Sequence, residues 1–107
     1  MEGAYDVIRI SQYSSEYVRV RVEAEKAGVD FNPTADAVVF AFPVVGADPD
    51  TWYAATWETE AGTPPRYHAM CLVGTTAILT EGTYDVYVKV TDDPEIPVKR
   101  VGQVAIF

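Results

Sequence analysis

The stretch Leu79-Thr80-Glu81-Gly82-Thr83-Tyr84-Asp85-Val86-Tyr87-Val88-Lys89-Val90 decides how this chain folds. A Leu-x-x-Gly-x-Tyr opening followed by strict alternation is the pattern of a tyrosine corner, a sharp turn that feeds a strand of a β-sandwich. Gly82 lets the backbone turn, and the Tyr84 ring can be buried if its hydroxyl reaches a backbone group a few residues upstream. Leu79, Gly82 and Tyr84 are therefore the structural residues of the corner. The two-residue period then points Tyr84, Val86, Val88 and Val90 inward and Asp85, Tyr87 and Lys89 outward.

Outward from this stretch, the rest of the chain also reads as strands. Val7 to Ser11 is the first, and Tyr17 to Ala24 the second, with Val18, Val20 and Val22 alternating against Arg19, Arg21 and Glu23. Lys26 to Thr34 is a breaker-rich loop. Ala37 to Phe42 reads as a central strand with Val38, Phe40 and Phe42 inward, ended by Pro43 and the Gly46-Ala47-Asp48-Pro49-Asp50 turn. Trp52 to Thr59 resumes one extended segment, with its two tryptophans on opposite faces and at least one partly exposed. Glu60 to Pro65 turns, Arg66 to Val73 is a strand ended by Gly74, and Thr76 to Leu79 leads into the corner. Asp92 to Pro97 separates the Thr83 to Thr91 strand from a last one, Val98 to Phe107, where Gly102 breaks the alternation and marks a bulge. About seven strands with no helical period predict one all-β domain over residues 1–107, an immunoglobulin-like sandwich without internal repeats.

Composition bounds the function. The chain has 107 residues, 49% hydrophobic and 22% charged, which suits a single core. A net charge of -8 argues against a general nucleic-acid binder and against adsorption to anionic membranes. No apolar run is long enough to span a bilayer, and the opening Met1-Glu2-Gly3-Ala4-Tyr5-Asp6 lacks the character of a secretory signal. Cys71 is the only cysteine, so an intersheet disulfide is impossible, and folding in a reducing cytoplasm is compatible with this.

Catalytic chemistry has little to stand on. His68 is the only histidine, and Cys71, three residues later on a strand, projects from the other face, so a nucleophile-base pair is not expected. No zinc spacing and no phosphate-cradling glycine loop is present, and no cofactor is expected. Asp92, Asp93 and Glu95, with Asp48 and Asp50, could offer oxygen ligands to calcium, but their spacing is not that of a calcium loop, and a solvated acidic turn is the reading preferred. Binding has better candidates. Arg9, Arg19 and Arg21 on the first two strands could share a basic face, although a solvated sheet face paired with neighbours such as Glu23 explains them as well. Tyr53, Trp57, Tyr67 and Tyr87 could supply contact area, Trp57 and outward Tyr87 foremost.

Trp52 to Trp57, Tyr67-His68-Ala69-Met70-Cys71-Leu72-Val73-Gly74, Leu79 to Val98, and the opening Ile8-Arg9-Ile10-Ser11 through Glu16-Tyr17-Val18-Arg19-Val20 together resemble the small immunoglobulin-like virion proteins of tailed phages that infect actinobacteria. The resemblance covers most of the chain. It implies a non-enzymatic part of the particle, decorating the capsid or seated at the head or neck, assembled in the host cytoplasm and present in many copies. It implies no catalytic residues. Its partners would be other virion proteins: major capsid, portal or tail protein. A tail or baseplate adaptor is the alternative in the same class. A carbohydrate- or receptor-binding module stacking ligands on Trp57 and Tyr87 is the alternative from another.

Overall fold

A computed structural model describes residues 7–22, 25–26, 29–30, 32–63, 65–91 and 96–107. Its strands are β1 (Val7–Ile10), β2 (Glu16–Val22), β3 (Glu25–Lys26), β4 (Val29–Asp30), β5 (Ala37–Ala41), β6 (Tyr53–Ala54), β7 (Thr56–Glu60), β8 (Arg66–Val73), β9 (Gly82–Thr91) and β10 (Val98–Ile106). Eight of them build two packed sheets, one of five strands in the order β1-β10-β9-β5-β6 and one of three in the order β2-β8-β7. β3 and β4 pair antiparallel where the sequence predicts a loop from Lys26 to Thr34, β3 beginning one residue before it, and a 3-10 turn, Pro33–Ala35, follows. The domain is all-β and sandwich-like.

Two-residue periodicity builds the core. Val18 on β2, Val38 and Phe40 on β5, Ala69, Cys71 and Val73 on β8, Val86 and Val88 on β9, and Val104 and Ile106 on β10 are buried in one cluster between the sheets. Phe40 is fully buried and stacks obliquely on Phe42, which in turn meets Tyr53, each at 6.0 Å between ring centroids. A fully buried aliphatic or phenyl side chain contributes about 1.5–3 kcal/mol, so this layer dominates the stability of a domain without a disulfide.

The corner forms as its sequence predicts. Gly82 has φ +148°, a conformation that side chains other than glycine rarely adopt. The Tyr84 hydroxyl donates to the Thr80 carbonyl at 2.8 Å and lies 3.0 Å from the Thr80 hydroxyl, while Leu79 and Tyr84 pack against the core. The bulge at Gly102 is present too: the register between β10 and β9 shifts between Arg100 and Gly102.

Three expectations are corrected. Trp52 to Thr59 is not one strand: Tyr53 and Ala54 pair with β5 in the larger sheet, whereas Thr56–Glu60 pairs with β8 in the smaller, so the chain changes sheets at Ala55. Arg9 does not share a face with Arg19 and Arg21. β1 pairs with β10 and β2 with β8, so the turn between them carries the chain from one sheet to the other and leaves the arginines on opposite sides of the sandwich. Finally, Asp85 keeps its outward parity but is only 3% exposed.

Candidate functional site

Asp85 sits mid-sheet on the outer surface of the larger sheet, where an unpaired carboxylate would be costly to bury. Its neighbours remove that cost. Oδ1 accepts from Arg100 Nε at 3.0 Å and from Gln103 Nε2 at 3.3 Å, and Arg100 Nη2 adds a second contact at 3.0 Å. Oδ2 accepts from the backbone N–H of Gly46 at 3.1 Å. Burial pushes the carboxyl pKa up, but the hydrogen bonds from Gly46, Gln103 and Arg100, together with the guanidinium charge, outweigh it and hold the group below its ordinary value. The backbone reinforces this clamp: Asp85 N–H donates to the Pro43 carbonyl at 2.9 Å, Val44 bridges to Tyr84, and Ala47 N–H closes a turn on Val44 at 2.9 Å. One carboxylate thus ties the β5–β6 loop and β10 to the strand that follows the corner.

Next along the same surface, Tyr87 is half-buried and lies in register with Arg100 on one side and Ala41 on the other. Lys89 Nζ stands 4.2 Å from the centre of the Trp52 ring, a cation–π contact that reaches from β9 over β5 to the residue before β6. Arg9 lies at the far edge, its guanidinium 5.4 Å over the Phe107 ring.

The outer surface of the smaller sheet has a different character. Arg19, Met70 and Thr56 form one cross-strand row, and Arg21, His68 and Glu58 the next. Arg19 pairs diagonally with Glu58, and both side chains are about half exposed. His68 Nδ1 is buried 4.0 Å from Glu58 Oε1 and has no hydrogen-bond partner among the described residues. Arg21 is engaged as well.

Trp57 turns inward from β7, partly buried against the core, and donates its indole N–H to the Asp36 carbonyl at 2.8 Å. Its ring is a structural brace between β7 and the start of β5, so it does not join Tyr87, which lies on the outside of the other sheet. Tyr53 and Tyr67 also follow inward positions. His68 and Cys71 occupy opposite faces of β8. Cys71 is buried, its thiol 3.7 Å from the Ala54 carbonyl, and burial pushes its pKa up to about 11.

Asp48 and Asp50 are exposed in the β5–β6 loop, while Asp92, Asp93 and Glu95 lie outside the described residues, as does Glu23. Among the described residues no group of three His, Cys, Asp or Glu side chains is placed to hold a metal ion.

The Asp85 clamp escapes a reading by periodicity because the three partners of its carboxylate come from two distant places in the chain, Gly46 in the β5–β6 loop and Arg100 and Gln103 on β10. Its one sequence signal is a carboxylate set in the midst of the Tyr-Asp-Val-Tyr-Val strand. The chain matches no known protein family, no curated protein and no solved structure.

Proposed function

We propose that this protein is a non-enzymatic structural component of a tailed-phage virion, an immunoglobulin-like domain that decorates the capsid or sits at the head or neck and binds other virion proteins. The strand order carries the fold part of this reading. β10-β9-β5 with β6 beyond it has the neighbour relations of strands G, F, C and C′, and β2-β8-β7 those of B, E and D. A tyrosine corner opening β9 belongs at the start of strand F in the same scheme. The virion assignment draws its support from the sequence resemblance, since a sandwich by itself hosts many functions.

The glycan-binding alternative has less support, because Trp57 and Tyr87 belong to different sheets and Trp57 is committed to Asp36. The tail or baseplate adaptor differs from the favoured reading only in its place on the particle. Quantitative mass spectrometry of purified virions, from the phage that encodes the chain, is the test. The protein should copurify with the particles at many copies each, whereas its absence from washed particles would refute the reading.

A further inference from the structure

Strand directions gather three loops and Phe107 at one end of the sandwich. β1 and β10 finish there together, Ile10 beside Ile106, and β9 begins opposite them at Gly82. β5 runs out toward the same end, and β2 and β8 meet there at Glu16 and Val73. Residues 11–15, 42–52 and 74–81 are therefore neighbours at that end. They hold out apolar side chains that nothing in the domain requires to be exposed: Tyr13 is 91% exposed, Ile78 76%, Val44 60%, and Val45 and Phe107 about half.

These loops are tied down. The Gly46 turn hangs on Asp85, and Gln12 N–H donates to the Phe107 carbonyl at 2.7 Å while Phe107 N–H donates to Ile10 at 3.1 Å. Gly74 N–H donates to Ala77 at 2.7 Å, and the hydroxyls of Ser15 and Thr75 meet. Gly74 approaches so closely that a Cβ there would lie 2.2 Å from the Ser14 carbonyl oxygen. An exposed apolar surface on pre-ordered loops loses little entropy when it is covered.

The charge around it selects the covering partner. The loops carry Asp48, Asp50 and Glu81, with Glu16 beside them, all exposed, and no lysine or arginine; Arg9, over the Phe107 ring, is a cation at their edge, and these carboxylates outnumber it. We infer that this end is a docking surface for a protein presenting an apolar patch rimmed by lysine or arginine. A second copy docked end to end would oppose these carboxylates with their own counterparts, and like charges across an interface oppose association. The inference rests on the assembly reading for the class of partner, and it moves the contact from the arginine-bearing sheet faces to the loops.

Site-specific photocrosslinking of the full chain, in the cell that carries its gene, tests it. A benzophenone side chain at Ile78 should capture one other protein, through a peptide whose apolar residues are flanked by lysine or arginine. Asp48→Lys combined with Glu81→Lys should lower that yield about tenfold or more, with the denaturation midpoint unchanged. Arg19→Glu combined with Arg21→Glu should leave it within about twofold. Capture of this chain's own peptides, a yield no greater than from the same probe at Thr56, or indifference to the charge reversal would overturn the inference. A captured basic-rimmed protein that is no virion component would keep the docking surface and remove the virion reading. Capture of a virion protein from Thr56 alone would do the reverse.

Discussion

Arg100–Asp85 on the larger sheet and Arg19–Glu58 on the smaller join the same two chemical groups at outward-facing strand positions. Their surroundings differ. Asp85 is sealed from water with every close contact a donor, whereas Arg19 and Glu58 stand half in solvent. A buried carboxylate stripped of its partners is strongly destabilising, while an exposed pair contributes about 0–1 kcal/mol and is screened by salt. The comparison teaches that outward parity does not establish a free surface. On the larger sheet Asp85 and Arg100 hold the β5–β6 loop, and on the smaller sheet Arg19 pairs with Glu58.

The largest expected effect comes from breaking the sealed member. Asp85→Ala should lower stability by about 3 kcal/mol in a denaturant titration, since it releases the Gly46 turn and Arg100 together. A loss below about 1 kcal/mol would place Asp85 on a par with Glu58 and dissolve the contrast. Acid sharpens the same point. Because the folded-state pKa of Asp85 is lowered, its contribution is fully present above the unfolded carboxyl value near 3.9, and it is lost as pH falls through the lower folded value. Asp85→Asn should therefore flatten the acid limb of the stability profile, and an unchanged limb would assign acid unfolding to other carboxyls.

Tyr84→Phe follows in size. It removes the bond to the Thr80 carbonyl at the base of the same strand and should cost about 0.5–1.5 kcal/mol, read as a shift of the denaturant midpoint. Smallest of all, Arg19→Ala should cost about 0.5 kcal/mol or less and nothing measurable in high salt. A salt-independent loss of several kcal/mol would show that pair to be sealed as well. Cys71 offers an independent check on the core between the two faces: with its pKa raised to about 11, the thiol should resist alkylation at neutral pH until the domain unfolds.

What was legible in the sequence was periodic or local. Alternation identified the inward residues of β2, β5 and β9, and the glycine and tyrosine of the corner lie two residues apart, so one short window holds the whole device. Gly102 announced its bulge for the same reason. Relations between distant segments were not legible. Arg9 and Arg19 are ten residues apart and both alternate with apolar neighbours, and only the direction taken by the turn at 11–15 decides that they end on opposite sheets. Trp52 and Trp57 sit in one extended stretch whose propensity is uniform, so the change of sheet at Ala55 leaves no local trace. Asp85 read as outward because its parity is outward. Its burial depends on Arg100 and Gln103 on the next long strand and on Gly46 far upstream, which no two-residue pattern encodes. The apolar end was hidden likewise, since Tyr13, Val45 and Ile78 each look like an isolated loop residue until the strand directions bring them together.

The proposal that this domain is part of a tailed-phage particle is tested most directly by an electron cryomicroscopy map of purified virions of a phage whose genome carries this sequence. The account predicts density for a two-sheet sandwich at a repeated position on the capsid, neck or tail, with the 74–81 end turned toward the protein that holds it. A particle complete at that resolution with no site that fits the sandwich would contradict it.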